Sequence, residues 1–179
     1  QDEKQRANAY VLDSKKNEFI VTRSFLRLLL GACLKITPDA VVFNHNSYGK
    51  PFLSDSSIFF NVSHSGDYAV IALGKDHDIG IDIERENMSV KSKKIAQRFF
   101  TTKEQSFLFT QESSNQVAFF YRIWTAKEAV CKAIGLGLWS SMKAFSVADI
   151  KDTYSVSVSL SSQDTQDVLF YVQHSFEEF

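Results

Sequence analysis

The stretch Ile79-Gly80-Ile81-Asp82-Ile83-Glu84 decides how the rest of the chain is interpreted. Apolar side chains alternate in it with small or acidic ones, which is the period of a strand with one buried face. Asp82 and Glu84 therefore project together from the face opposite the isoleucines. Like charges on one face of a strand repel each other by a few tenths of a kcal/mol to about 1 kcal/mol. Two interpretations remain open: a bound divalent cation such as Mg²⁺, which offsets the repulsion, or a solvated face of an edge strand.

Composition limits the class of protein. The chain has 179 residues, 44% of them hydrophobic, which is enough for one compact domain or two small, closely packed ones. Its 20 Lys and Arg residues nearly balance 21 Asp and Glu residues, and the net charge of −1 provides no general attraction to nucleic acid or anionic lipid. The sequence contains no apolar run of transmembrane length and no signal-peptide pattern. We therefore expect neither nucleic acid nor a membrane as a partner.

The two cysteines indicate a reducing compartment. Cys33 and Cys131 lie far apart in the sequence, each within an apolar helical pattern where a buried free thiol is common. We therefore expect a cytoplasmic protein. Because the chain begins with Gln1 rather than Met, we also expect an N-terminal portion to be missing.

Hydrophobic periodicity predicts an α+β arrangement of helices and strands. Pro38 ends the first long helix, two overlapping capping boxes begin a later one at Thr101 and Thr102, and Gly135 and Gly137 end the longest. The predicted helices cover residues 17 to about 37, 89–100, from 101 onward, and 115–134, after an opening helix and loop in 1–16. The predicted strands cover 41–43, 58–62, 68–73, the acidic stretch 79–84, 145–147, 156–160 and 168–172.

Several polar groups near these elements can bind phosphate. Lys50 lies in a turn with Gly49 and Pro51, and Ser63 and His64 lie where a strand is expected to end. These side chains could donate hydrogen bonds to phosphate oxygens. An exposed lysine and ordinary turn capping explain the same patterns, so both interpretations remain open.

The longest helix carries a second candidate cluster. Glu128 precedes Lys132 by four residues, the favourable order for a helical ion pair worth a few tenths of a kcal/mol. The functional interpretation is a third carboxylate and a lysine that faces phosphate. Arg23, on the first helix, is interpreted either as a surface charge or as a further phosphate ligand.

Five motifs occur together and in order, and with them the sequence resembles the surfactin-type (Sfp-type) phosphopantetheinyl transferases, which move phosphopantetheine from coenzyme A to a serine of a carrier protein. The Gly-Ile-Asp-Ile-Glu and Trp-Thr-x-Lys-Glu-Ala motifs are the specific ones. Residues 6–27 are also similar to the N-terminal helix region of that family. The five motifs are Gly49-Lys50-Pro51, Phe60-Asn61-Val62-Ser63-His64-Ser65, Gly80-Ile81-Asp82-Ile83-Glu84, Arg98-Phe99-Phe100, and Trp124-Thr125-Ala126-Lys127-Glu128-Ala129 with Lys132 and Gly135.

The resemblance implies a fold of two similar α+β halves related by a pseudo-two-fold axis. The N-terminal half, 1–76, would hold coenzyme A phosphate contacts and lack its first strand, and the C-terminal half, 77–179, would carry the metal-binding acids and the catalytic helix. The trimeric holo-acyl-carrier-protein synthases place their acids near the chain start, whereas Asp82 lies mid-chain. The resemblance therefore implies a monomer.

The resemblance also implies roles for individual residues. The metal ligands would be Asp82, Glu84 and Glu128, with Asp82, Glu128 and Lys132 as catalytic residues. Either Glu128 or a metal-bound water would accept the serine proton. The residues that match coenzyme A contacts are Arg6, Arg23, Lys50, Ser63 and His64.

The implied reaction is the Mg²⁺-dependent transfer of phosphopantetheine from coenzyme A to an apo acyl or peptidyl carrier protein, releasing adenosine 3',5'-bisphosphate. A non-catalytic module of the same fold, which binds coenzyme A or a carrier protein, is the alternative. Another Mg²⁺-dependent enzyme acting on a nucleotide pyrophosphate lacks support, because the sequence has no Walker-type loop or dinucleotide fingerprint. The choice of carrier, and of free over acylated coenzyme A, is left open.

Overall fold

The computed structural model describes residues 2–135, 142–147 and 155–160. It divides into two compact units, Gln1–Phe43 and Asn44–Phe179. Helix and sheet are both present, as the sequence predicts. Among the described residues, none of the helices has the length and apolar character that crossing a membrane requires.

The first unit contains two α-helices, α1 (Asp2–Asn8) and α2 (Asp13–Leu34), and a short 3-10 helix (Pro38–Ala40). Helix α2 begins at Asp13, four residues before the predicted helix start at Asn17. Leu26 and Leu30 are buried as expected, but Cys33 is an exposed free thiol, so its predicted burial is wrong. The chain that turns back after α2 packs on Gly31 and leaves Cys33 uncovered.

Strand β1 is shorter and later than predicted. Residues 41–43 form no strand, because the Val41 carbonyl accepts a hydrogen bond from the Arg27 guanidinium instead of from a neighbouring strand. Strand β1 (Asn44–His45) pairs antiparallel with β2 (Pro51–Phe52).

The predicted hairpin is confirmed, with longer strands. Strand β3 (Ile58–Ser65) pairs antiparallel with β4 (Tyr68–Lys75), and Ser65 opposite Tyr68 leaves a two-residue turn. Gly66 adopts a φ of 60° in this turn, a conformation that favours glycine. Strand β3 therefore continues through the residues expected to cap its end.

The acidic stretch forms strand β5 (Gly80–Arg85), which pairs in parallel with β6 (Ser155–Leu160). Strand β6 confirms the prediction for 156–160. The strand predicted at 145–147 is wrong, since the Phe145 carbonyl and the Val147 N–H are bonded by the side chains of Lys127 and Glu104. The strand predicted at 168–172 lies outside the described residues.

In the part of the chain that the structure describes, three α-helices follow β5: α3 (Ser92–Phe99), α4 (Thr102–Phe109) and α5 (Gln116–Ile134). The capping box of Thr101 with Glu104 is present, and that of Thr102 with Gln105 is wrong, because Gln105 bonds the Phe100 carbonyl instead. Gly135, with a φ of 72°, ends α5 as predicted. Gly137 lies outside the described residues. Phe99 of α3, Leu108 of α4, and Phe120 and Tyr121 of α5 belong to one buried hydrophobic cluster.

Candidate functional site

Asp82 is held inside the protein and not on a solvated strand face. Its side chain is 2% exposed, and Glu84 is half-buried. Helix α5 packs directly on β5 at Gly80, where the Ala129 carbonyl lies too close for any Cβ. The interpretation of a solvated face is therefore wrong, because α5 covers the acidic face.

The close packing brings a third carboxylate to the pair. Oxygen atoms of Asp82, Glu84 and Glu128 lie within 4.8 Å of one another. The Oδ2 of Asp82 is buried and accepts no hydrogen bond from any N–H or hydroxyl group among the described residues. Three carboxylates, one with an unused buried oxygen, are the kind of donors that Mg²⁺ prefers. The residues present therefore fit a hard divalent cation.

The pKa values of two carboxylates also indicate that the cluster lacks sufficient positive charge. Burial raises the pKa of Glu128 to about 8, reinforced by the negative charges of Asp82 and Glu84. A hydrogen bond to Asp82 also favours the protonated form of Glu128. Burial raises the pKa of Glu84 as well, against the hydrogen bond from Ser65. Without a cation, the cluster retains a proton on Glu128 at neutral pH.

Lys132 provides the counter-charge on the same helix. Its Nζ lies 2.6 Å from Asp82 Oδ1 and donates a hydrogen bond of 2.8 Å to Ser63 Oγ. The Lys132 side chain is 23% exposed. Lys132 is thus directed at Ser63 of β3 and Asp82 of β5, and its role toward phosphate stays a prediction.

The two residues predicted from the Ser63-His64 motif lie on opposite faces of β3. Ser63 is buried, and its Oγ donates a hydrogen bond of 2.8 Å to Asp82 Oδ1. Because side chains alternate along a strand, His64 projects from the other face, where it is exposed. The structure therefore brings Ser63, but not His64, to the carboxylate cluster.

Lys50 is half-buried at the C-terminal end of α5. Its Nζ donates to the Ala133 carbonyl at 2.8 Å and pairs with Asp78 Oδ1 at 3.0 Å. An open cavity of about 290 Å³ adjoins it, lined also by Phe52, Phe60 and other side chains. Lys50 is therefore more than an exposed turn lysine, and it stands at the edge of a cavity.

Arg6 and Arg23 lie together in the first unit. Their guanidinium carbons stand 5.3 and 5.7 Å from the centre of the Phe19 ring, a cation–π arrangement. Arg23 also packs on Phe43 at 4.6 Å, and its Nε lies 3.4 Å from an oxygen of Glu3. The Arg23 side chain is 14% exposed, so the surface-charge interpretation is wrong. The role of both arginines in binding coenzyme A stays a prediction.

Sequence reasoning missed a buried ion pair beside the site. Lys127 is completely buried, and its Nζ lies 2.8 Å from Glu104 Oε2 and 2.7 Å from the Phe145 carbonyl oxygen. Burial lowers the pKa of Lys127, against the bond to Glu104. The pair anchors α5 to α4 at the residue next to Glu128. The capping box pointed to Glu104, but no local pattern indicates its second partner, 23 residues away.

Comparison with known proteins gives one family over almost the whole chain. Residues 78–178 match the family model of the 4'-phosphopantetheinyl transferase superfamily, and residues 1–75 match that of the 4'-phosphopantetheinyl transferase N-terminal region.

Individual relatives carry the same name. The chain is 36% identical over 141 residues to 4'-phosphopantetheinyl transferase HetI of Nostoc sp., which covers 76% of this chain and 60% of the relative. It is 40% identical over 120 residues to 4'-phosphopantetheinyl transferase gsp of Aneurinibacillus migulanus, and the match covers 67% of this chain and 49% of the relative. The chain is 33% identical over 178 residues to 4'-phosphopantetheinyl transferase ffp of Bacillus subtilis, and the match covers 92% of this chain and 78% of the relative. The chain thus spans about half to three fifths of the length of the first two relatives.

Proposed function

Because this chain belongs to the 4'-phosphopantetheinyl transferase superfamily, we propose that it transfers phosphopantetheine from coenzyme A to a serine of an apo acyl or peptidyl carrier protein. The observation that carries the proposal is the cluster of Asp82, Glu84 and Glu128 with Lys132 directed at it. A purely structural role does not account for three carboxylates so close together, one of them with an unused buried oxygen.

In the proposed reaction, the serine oxygen attacks the coenzyme A phosphorus that carries pantetheine. The bond from that phosphorus to the bridging oxygen breaks, and adenosine 3',5'-bisphosphate leaves with the electron pair. Mg²⁺, when bound by the three carboxylates, supplies positive charge for the pyrophosphate. Either Glu128, ionised once the cluster has released its proton, or a water beside it would accept the serine proton. Lys132 stabilises the negative charge that develops on the phosphate oxygens.

The finer assignments form part of the same proposal. Lys50, beside the cavity, and Ser63, beside the cluster, are proposed coenzyme A contacts together with Arg6, Arg23 and His64. Family resemblance supports two similar halves, 1–76 and 77–179, related by a pseudo-two-fold axis in a monomer. It also supports a cytoplasmic location, with no nucleic acid or membrane as partner.

Intact-mass spectrometry of a carrier protein tests the proposal. The apo carrier is incubated with the chain, coenzyme A and Mg²⁺, beside one control with EDTA and one with a carrier that lacks the acceptor serine. We expect a gain of one phosphopantetheine group that both controls lack. Coenzyme A binding without any mass gain, across several carriers, would contradict transfer and favour a non-catalytic binding module.

A further inference from the structure

Three polar side chains of β3 face the free edge of β5, and we call Asn61, Ser63 and Ser65 the polar ladder. They alternate along β3, so all three point to the same side of the strand. Each side-chain oxygen accepts a hydrogen bond from a backbone N–H of β5. The pairs are Asn61 with Ile81 at 2.9 Å, Ser63 with Ile83 at 3.4 Å, and Ser65 with Arg85 at 3.0 Å.

The polar ladder replaces a neighbouring strand. β5 pairs with β6, whereas the backbone of β3 pairs with β4, and β3 and β5 belong to different sheets. Alternate N–H groups of β5 would otherwise lie unpaired at a partly buried edge, which is costly. Side chains of β3 satisfy them instead, and the partners keep a constant offset of 20 residues.

The two serines also bond the metal-binding carboxylates. Ser63 Oγ donates to Asp82 Oδ1 at 2.8 Å, and Ser65 Oγ donates to Glu84 Oε2 at 3.0 Å. Each serine therefore joins a backbone N–H of β5 to the carboxylate of the preceding residue. A hydroxyl has one donor and two acceptor positions, and Ser63 uses all three because it also accepts from Lys132.

We propose that Ser63 and Ser65 are positioning residues, which hold Asp82 and Glu84 in the orientation that binds the divalent cation. This inference rests on the metal site of the proposed function. Ser65 has the larger task, because Glu84 is only half-buried and its long side chain has several rotamers. Mg²⁺ tolerates little deviation from octahedral geometry, so fixing that rotamer before binding raises affinity. Asn61 bonds only backbone, and it extends the same edge without touching a carboxylate.

Titration with Mn²⁺ as a spectroscopic substitute for Mg²⁺ tests the positioning role directly. The chain is compared with Ser65→Ala, Ser65→Thr and the control Ser56→Ala. Ser56 Oγ also accepts a hydrogen bond from a backbone N–H, that of Ile58, but it lies outside the polar ladder. We expect Ser65→Ala to weaken Mn²⁺ binding about tenfold, as is typical when an outer partner of a metal ligand is lost. Ser65→Thr, which retains the hydroxyl, should bind within about twofold of the unchanged chain, and so should Ser56→Ala.

Hydrogen exchange of the metal-free protein supplies a second readout. In Ser65→Ala, the Arg85 amide should exchange faster, while the amides paired between β3 and β4 keep their protection and show that the variant is folded. Normal Mn²⁺ affinity in Ser65→Ala, or equal weakening in Ser65→Thr and Ser65→Ala, would overturn the positioning role while leaving the metal site standing. If the unchanged chain binds no Mn²⁺, or if Asp82→Ala binds it equally well, the metal site itself is refuted.

Discussion

Replacing Gly80 by alanine tests whether the close packing of β5 on α5 builds the acidic site. A Cβ on Gly80 would lie 1.9 Å from the Ala129 carbonyl oxygen and 2.4 Å from the Ala133 nitrogen. Real Cβ atoms essentially never approach other atoms closer than 3.0 Å. The strand and the helix must therefore separate by about 1.1 Å, because the obstructing atoms are backbone and cannot rotate away.

Both stability and function should suffer from this separation. Overpacking of a filled interior costs about 1 to 3 kcal/mol, and we expect the upper end because no side chain can yield. Helix α5 carries Glu128 next to the obstructing Ala129, so the separation also moves Glu128 away from Asp82 and Glu84. A misplacement of about 1 Å can lower a catalytic rate about 100-fold. We therefore expect Gly80→Ala to lower the free energy of unfolding by about 3 kcal/mol, and the transfer rate by about 100-fold.

Urea unfolding followed by circular dichroism measures the free energy of unfolding. The rate of mass gain by a carrier protein measures the transfer rate. Gly74→Ala is the matched control, since its Cβ would meet atoms no closer than 3.5 Å. It should change the free energy of unfolding by less than about 0.5 kcal/mol. A Gly80→Ala chain that unfolds like the control would refute the packing argument. One that is destabilised but transfers at the normal rate when folded would refute the link between packing and the site.

Four further predictions concern charged groups. Lys132→Met should lower the transfer rate at least tenfold while far-ultraviolet circular dichroism shows α5 intact, because the ammonium group that faces Asp82 is lost; an unchanged rate would remove Lys132 from the mechanism. Lys127→Met should lower the free energy of unfolding, measured in urea, by about 3 to 5 kcal/mol, because it leaves Glu104 buried without its partner. A loss below about 1 kcal/mol would contradict the importance of the ion pair. Mn²⁺ affinity should rise up to about tenfold per pH unit toward pH 8 and then level off, because binding displaces the proton of Glu128. Calorimetry in two buffers should find about one proton released, and a flat pH profile would disprove the raised pKa. Between pH 4.5 and about 8, the folded metal-free protein holds this proton on Glu128 and the unfolded chain does not. The free energy of unfolding of the metal-free protein, measured in urea, should therefore fall as pH rises from 4.5 to about 8.

Local pattern was sufficient for the elements that carry the site. Alternation of apolar and acidic residues predicted β5, and 3.6-residue periodicity followed by Gly135 predicted α5 and its end. These signals come from the sequence itself, because backbone geometry decides which neighbouring residues share a face. The same reasoning failed at Phe145–Val147, which is apolar like a strand but has its backbone groups bonded by side chains of α4 and α5.

The way in which the carboxylates are held depends on tertiary packing. Residue alternation alone places Asp82 and Glu84 on one face, and the sequence motifs alone show the resemblance to one family. The sequence left open whether that face was solvated and whether Lys132 was a helical ion-pair partner. Packing of α5 on Gly80 buries Asp82, and it brings Lys132 to Asp82 as well as to the charge of Glu128 on its own helix. Contacts between residues 20 to 69 positions apart, such as those of the polar ladder and Lys132, depend on how elements pack, and no local periodicity encodes them.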